Sequence, residues 1–283
     1  MQIYTAQMAV NKQFILGESP CYYQGKWSWV DIVKGELWWM LSGEKPACLQ
    51  VGQYVGAAIP TTQGNYIALM TTGAYVVNEV EIVRYIGTPK EMTMYQRFND
   101  AKCDPYGRLF AGTMPLFSSR FEEGGALYCL QKKGDFHRVE TSVKVSNGLA
   151  WTKDGKKLYY IDTATRRVDV FDYDVELGEV TGRRPVFSVD GVPDGMTIDD
   201  EGLLWVAIWD KKEVRRYHPE TGEIIAKVIG LEGNVSSCCF GGEDMRTLMI
   251  TTSAEKEPDN PRAGCIYMAS LPVSGRATDC FCE

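Results

Sequence analysis

Six copies of one short phrase, turn residues at intervals of roughly 8 to 12 positions, and the absence of long helical periodicity predict an all-β chain folded as a six-bladed β-propeller. The phrase is a turn containing glycine followed by an apolar or aromatic run. It first occurs as Y-Y-Q-G-K-W-S-W-V-D-I (22–32), T-T-Q-G-N-Y-I-A-L-M (61–70) and D-P-Y-G-R-L-F-A-G-T-M (104–114). It returns as K-D-G-K-K-L-Y-Y-I-D (153–162), D-E-G-L-L-W-V-A-I-W (200–209) and, without the turn glycine, G-E-D-M-R-T-L-M-I-T-T (242–252). Shared among six copies, the 283 residues allow about 47 each, the length of a four-stranded blade.

Each copy supplies the elements of one blade in turn. The glycine turn joins the first two strands, and the apolar run is the second, buried strand. Downstream, G-A-L-Y-C-L, R-R-V-D-V-F-D-Y-D, E-V-R-R-Y-H-P-E-T-G and G-C-I-Y-M-A mark the strands that follow a further turn. The N-terminal Q-I-Y-T-A-Q-M is expected to supply the outer strand of the last blade, closing the ring so that no bare sheet edge remains. The whole chain, 1–283, is expected to be one domain. Two stacked β-sandwiches would leave a six-fold phrase without a reason.

Composition narrows the function classes. A formal net charge of -7, a pI near 5.1 and no basic run longer than a Lys-Lys or Arg-Arg pair argue against nucleic acid and anionic membrane as partners. The N-terminus lacks a signal-peptide pattern and no stretch has the length of a membrane span, so a cytoplasmic location is expected. Nine cysteines without a Cys-x-x-Cys pair are expected to be reduced and mostly buried. No G-x-S-x-G or H-E-x-x-H motif is present, and His137 and His218 lie in charged, turn-like contexts suited to the surface. A small molecule or another protein is left as the partner.

The candidate site follows from the propeller. The innermost strands line the axis, so equivalent positions of different blades converge there. Counting back from each turn glycine, Asn99 lies eight residues before Gly107, Asn147 eight before Gly155 and Asp194 eight before Gly202. Glu18 lies seven before Gly25, where a hairpin one residue shorter would align it. The second copy has Gly56 and Ala57 at this place. Singly, Asn147-Gly148 and Asp194-Gly195 read as turn dipeptides, but independent turns have no reason to share a register. Glu18, Asn147 and Asp194, with Asn99 as a fourth candidate, offer only oxygen ligands and two negative charges, which favours a hard divalent cation such as Ca²⁺, Mg²⁺ or Mn²⁺.

L-G-E-S-P, R-F-N-D-A-K-C-D-P-Y-G-R-L-F-A-G-T-M, S-N-G-L-A-W, Y-Y-I-D-T, F-D-Y-D, P-D-G-M-T-I-D-D-E-G-L-L-W-V-A and S-S-C-C-F-G-G occur in this order between residues 16 and 242, within a likeness that spans residues 14 to about 268. Together they resemble the SMP-30/gluconolactonase/luciferin-regenerating-enzyme family, also called regucalcin-like proteins. The resemblance implies a six-bladed propeller with one divalent cation (Ca²⁺, Zn²⁺, Mn²⁺ or Mg²⁺) in its channel and hydrolysis of a small-molecule sugar lactone. By position it makes Glu18, Asn147 and Asp194 the metal ligands, Asp194 also the general base, and Arg97 and Asn99 substrate-binding residues. Asp100, next in the motif, is given a structural role.

One departure bears on specificity. Members that open sugar lactones often carry an acid shortly after G-T-M, whereas Leu116 and Phe117 stand there in this chain and the acids come later, at Glu122 and Glu123. Phe117 is therefore expected on the pocket wall as a substrate contact, which leaves room for a less polar lactone or ester. The alternatives are a non-catalytic propeller that binds metal or ligand, and a metal-dependent esterase or organophosphate hydrolase.

Overall fold

A computed structural model of the chain describes residues 1–131 and 134–283. Among these residues the strands form six sheets in a ring, a six-bladed β-propeller. The blades span 17–50, 55–87, 96–143, 146–188, 193–229 and 234–270. The first strands of successive blades pack on one another around the axis, and Asn234–Gly241 of the sixth meets Gly17–Tyr23 of the first. Among the described residues no helix is long and apolar enough to cross a membrane.

Each repeated phrase is the hairpin between the first and second strands of a blade. The turn needs one residue in the left-handed region, and Gly64, Gly107, Gly155 and Gly202 occupy it at φ of 82°, 77°, 65° and 80°. In the sixth copy, where that glycine is missing, Met245 takes the position at φ 56° and donates its N–H to Gly242 O at 3.1 Å. Apolar side chains of neighbouring blades then fill the wedges between sheets. Leu149, Trp151, Leu158 and Tyr160 of the fourth blade, for example, pack against Phe110, Leu127 and Cys129 of the third. Burying one such aliphatic or aromatic side chain contributes about 1.5–3 kcal/mol, and six clusters of this kind hold the ring.

Ring closure divides the N-terminal segment between two blades. Gln7–Val10 is the outer strand of the sixth blade, antiparallel to Ile266–Ser270. Gln2–Thr5 lies instead parallel to Ile224–Ile229, as a fifth strand of the fifth blade. The break comes at Ala6, which is buried and donates its N–H to Ile229 O at 2.9 Å before the chain crosses to the next blade.

Irregularities in the innermost strands shape the axis. Asn99 and Asp100 together face Gly112, lying between the pairs Phe98↔Thr113 and Ala101↔Ala111. Asn147 and Gly148 stand in the same way between Ser146↔Asp162 and Leu149↔Tyr160, and Asp194 and Gly195 between Pro193↔Ile208 and Met196↔Val206. These are β-bulges, which twist the strand and re-aim one side chain. Asn147-Gly148 and Asp194-Gly195 thus sit inside strands rather than in turns, and neither glycine has a positive φ. Close approach of the next blade excludes a side chain there: a Cβ on Gly148 would lie 2.6 Å from Met196 Cβ, and one on Gly195 2.5 Å from Ser237 Cβ.

Candidate active site

The bulges carry Asn99, Asn147 and Asp194 to one end of the axis, where they line a cavity of about 250 Å³. Glu18 and Arg97 line it too, and Leu16, Met114, Val145, Val192 and Trp209 supply its apolar wall. Glu18 arrives by a different route from the one its count suggests. It pairs with Val30 just ahead of the bulge, and the bulge itself is formed by Ser19 and Pro20 opposite Trp29. Ser19, at φ 50°, occupies the place that Asn99, Asn147 and Asp194 hold in their blades. Its N–H donates to Glu18 Oε2 at 2.8 Å, and its hydroxyl accepts from the Ala58 N–H at 3.2 Å.

A chain of hydrogen bonds holds the polar side chains. Arg97 Nη1 donates to Asn99 Oδ1 at 2.7 Å and to Phe98 O at 2.9 Å. Asn99 Nδ2 donates to Ser146 O at 2.8 Å and to Asn147 Oδ1 at 3.1 Å. Asn147 Nδ2 passes the chain to Thr163 Oγ1 at 2.8 Å, and Thr163 donates to Pro193 O at 2.8 Å. This direction fixes the Asn147 amide with its oxygen on the side of Asn99.

Charge is concentrated where water is scarce. Glu18 and Asp194 are 6% and 8% exposed. Burial pushes the Glu18 carboxyl well above its usual range; Asp194 and Asp100 push it further, while the Ser19 N–H and Arg97 act against them. Burial likewise raises Asp194, with Asp100 adding to the shift and Arg97 and the Asn147 amide opposing it. Arg97 is lowered by desolvation, which Glu18, Glu255 and Asp194 partly offset. Two desolvated carboxyls that repel one another form a place where a cation is stabilised.

Phe117 is not among the residues that line this cavity. It is 52% exposed and precedes the short helix Ser118–Glu123, while Met114, three residues earlier, faces the cavity. The helix turns the loop outward after Pro115. Glu122 and Glu123 also stay on the surface, paired with Lys144 and Arg120. Asp100, the second bulged residue of its strand, faces a separate small cavity with Lys102, Cys103 and Cys238. Burial raises its carboxyl, and Lys102 and the Ala101 N–H lower it.

Counting back from the turn glycines missed Thr163, Trp209 and Glu255. They follow the second strands of the fourth, fifth and sixth blades. Counting forward finds one of them: Trp209 lies seven residues after Gly202, as Met114 lies seven after Gly107, whereas Thr163 lies eight after Gly155. Glu255, ten after Met245, falls outside that register.

The model of the SMP-30/Gluconolactonase/LRE-like region matches residues 16–254. The "Putative sugar lactone lactonase YvrE" of Bacillus subtilis is 34% identical over 95% of this chain and 96% of its own length. Regucalcin of Danio rerio is 36% identical over 92% of each chain. A luciferin-regenerating enzyme superposes with a TM-score of 0.91 at 28% identity, over 98% of this chain and 99% of its own.

Proposed function

The chain belongs to the SMP-30/gluconolactonase/LRE-like family, and we propose that it is a metal-dependent lactonase whose active site is the cavity of Glu18, Asn147 and Asp194. One observation carries this reading: two buried carboxylates and an amide from three blades meet in a single cavity beside the Arg97 guanidinium. The donor set suits a hard divalent cation, being all oxygen, with the charge of the two acids matching the ion and room left for substrate. When bound, such a cation polarises an ester carbonyl and makes a neighbouring water more acidic.

The side chains divide the remaining work. Asp194 takes a proton from water as that water's oxygen bonds to the lactone carbonyl carbon, and returns it to the ring oxygen as the carbon–oxygen ring bond breaks. The product is the open-chain hydroxy acid, whose carboxyl keeps the second proton of the water and releases it to solvent to become the carboxylate. Arg97, anchored through Nη1 to Phe98 O and Asn99 Oδ1, turns its other guanidinium nitrogens to substrate oxygens. Asn99 acts chiefly by fixing Arg97 and Asn147. Leu16, Met114 and Trp209 keep bulk water from the reacting ester.

The experiment is hydrolysis of a panel of aldonolactones and simple esters by chelated protein and after return of single divalent metals. Turnover is expected to vanish on chelation and to recover with one or more metals. Asp194→Asn is expected to lower kcat by about 10²- to 10⁴-fold. Metal-independent turnover would refute the metal requirement, and near-normal turnover by metal-loaded Asp194→Asn would refute the base assignment. Cation binding without turnover on any member of the panel would make the protein a binding propeller.

A further inference from the structure

Of the polar side chains in the cavity, Asn99, Asn147 and Thr163 are committed to one another and to backbone carbonyls, and Glu18 and Asp194 form the acidic floor. Glu255 is different. It stands at the rim, exposed to solvent, and among the described residues its carboxylate accepts no hydrogen bond. Its backbone is nonetheless tied down: Ala254 donates its N–H to Ile15 O at 3.1 Å, and Glu255 donates its own to Ser253 Oγ at 3.1 Å.

Arg97 complements it from the third blade. Both groups line the cavity, and among the described residues no hydrogen bond or close ion pair joins them. Unpaired opposite charges lining one cavity leave a gap that a group able both to accept and to donate can bridge. A ring hydroxyl does so, accepting from the guanidinium and donating to the carboxylate. Among the described residues, Glu255 is the one acid lining the cavity besides Glu18 and Asp194, and Glu122 and Glu123 are held in surface pairs by Lys144 and Arg120.

We propose that Glu255 is the specificity residue of this site, accepting a hydrogen bond from a ring hydroxyl opposite Arg97, so that the preferred substrate is a polyhydroxylated lactone rather than a bare one. The proposal rests on the lactonase reading above and reverses the expectation, drawn from Phe117, of a less polar substrate. Trp209 and Met114 then face the C–H surfaces of the ring.

The test compares metal-loaded wild type, Glu255→Gln and Glu255→Ala on gluconolactone and on unsubstituted δ-valerolactone. Glu255→Ala is expected to lose about 10- to 100-fold in kcat/KM for gluconolactone, mainly through KM, and to stay within about twofold of wild type for valerolactone. Glu255→Gln, which keeps an acceptor oxygen, is expected to fall between them. An unchanged ratio of the two substrates in Glu255→Ala would overturn the proposal. A second arm measures binding of 1,5-anhydroglucitol, which keeps the hydroxylated ring but has no ester. Weaker binding to Glu255→Ala than to wild type supports the role of Glu255 even if wild type opens neither lactone, an outcome that would sink the lactonase reading alone. Equal binding overturns the role itself.

Discussion

Replacing Gly195 by alanine is expected to damage both stability and turnover, although its φ is one that any residue can adopt. A Cβ there would lie 2.5 Å from Ser237 Cβ and 2.8 Å from Ser237 Cα, against an ordinary carbon–carbon contact of about 3.5–4.0 Å. Roughly 1 Å of overlap falls on backbone of the sixth blade's inner strand, so no rotamer change relieves it. Overpacking of this kind costs about 1–3 kcal/mol. At about 2.1 cal/mol/K per residue, the unfolding entropy of 283 residues is about 0.6 kcal/mol/K, which converts that cost into a fall in Tm of about 2–5 °C. Asp194, the proposed base, is the preceding residue, and displacing a catalytic group by about 1 Å can cost about 10²-fold in rate. Gly202→Asn is the control. Gly202 has φ 80° with no atom within 4 Å of a built Cβ, and asparagine tolerates that conformation, so Tm is expected to fall by less than about 2 °C with kcat unchanged. Calorimetric melting and lactone kinetics on the two variants decide the matter. Wild-type Tm and turnover in Gly195→Ala would refute the claim that blade approach requires this glycine.

A divalent cation at about 100 times its Kd should stabilise the fold by about 2.7 kcal/mol, a rise in Tm of about 4–5 °C that a chelator reverses; no shift with any metal tried would remove the cation site. In chelated protein the folded-state pKa values of Glu18 and Asp194 are raised, first by burial and then by a neighbouring acid. Their contribution to stability is therefore complete below the unfolded values of about 4 and is lost as pH rises through the folded ones. Tm of the chelated protein should fall from about pH 4 towards neutrality, with a smaller slope in Asp194→Asn; equal slopes in the two proteins would contradict the assignment. Phe117→Ala should leave kcat/KM for gluconolactone within about twofold of wild type, since surface changes away from the site cost little. A tenfold loss would return Phe117 to the substrate wall.

Much of the fold was legible because its signal is local. A hairpin between two strands needs a left-handed residue, and glycine meets that need at Gly64, Gly107, Gly155 and Gly202, so the turns announce themselves at a blade's spacing. Asn99, Asn147 and Asp194 share an offset from those turns because one ladder connects each pair. The rest depended on closing the ring. Glu255 reaches the cavity from the last blade, more than 150 residues from Arg97, and no count within one repeat links them. Glu18 enters from one ladder step away because Ser19 takes a positive φ, a backbone choice set by its neighbours rather than by its residue type. Gly148 and Gly195 looked like turn glycines and are spacing glycines, a distinction that exists only once the next blade is in place. Phe117 was assigned by position in the chain, but the helix after it carries it to the surface. Turns and ladders are decided over a few residues and can be read from them; which side chains share a cavity is decided by contacts between blades, which only the closed ring supplies.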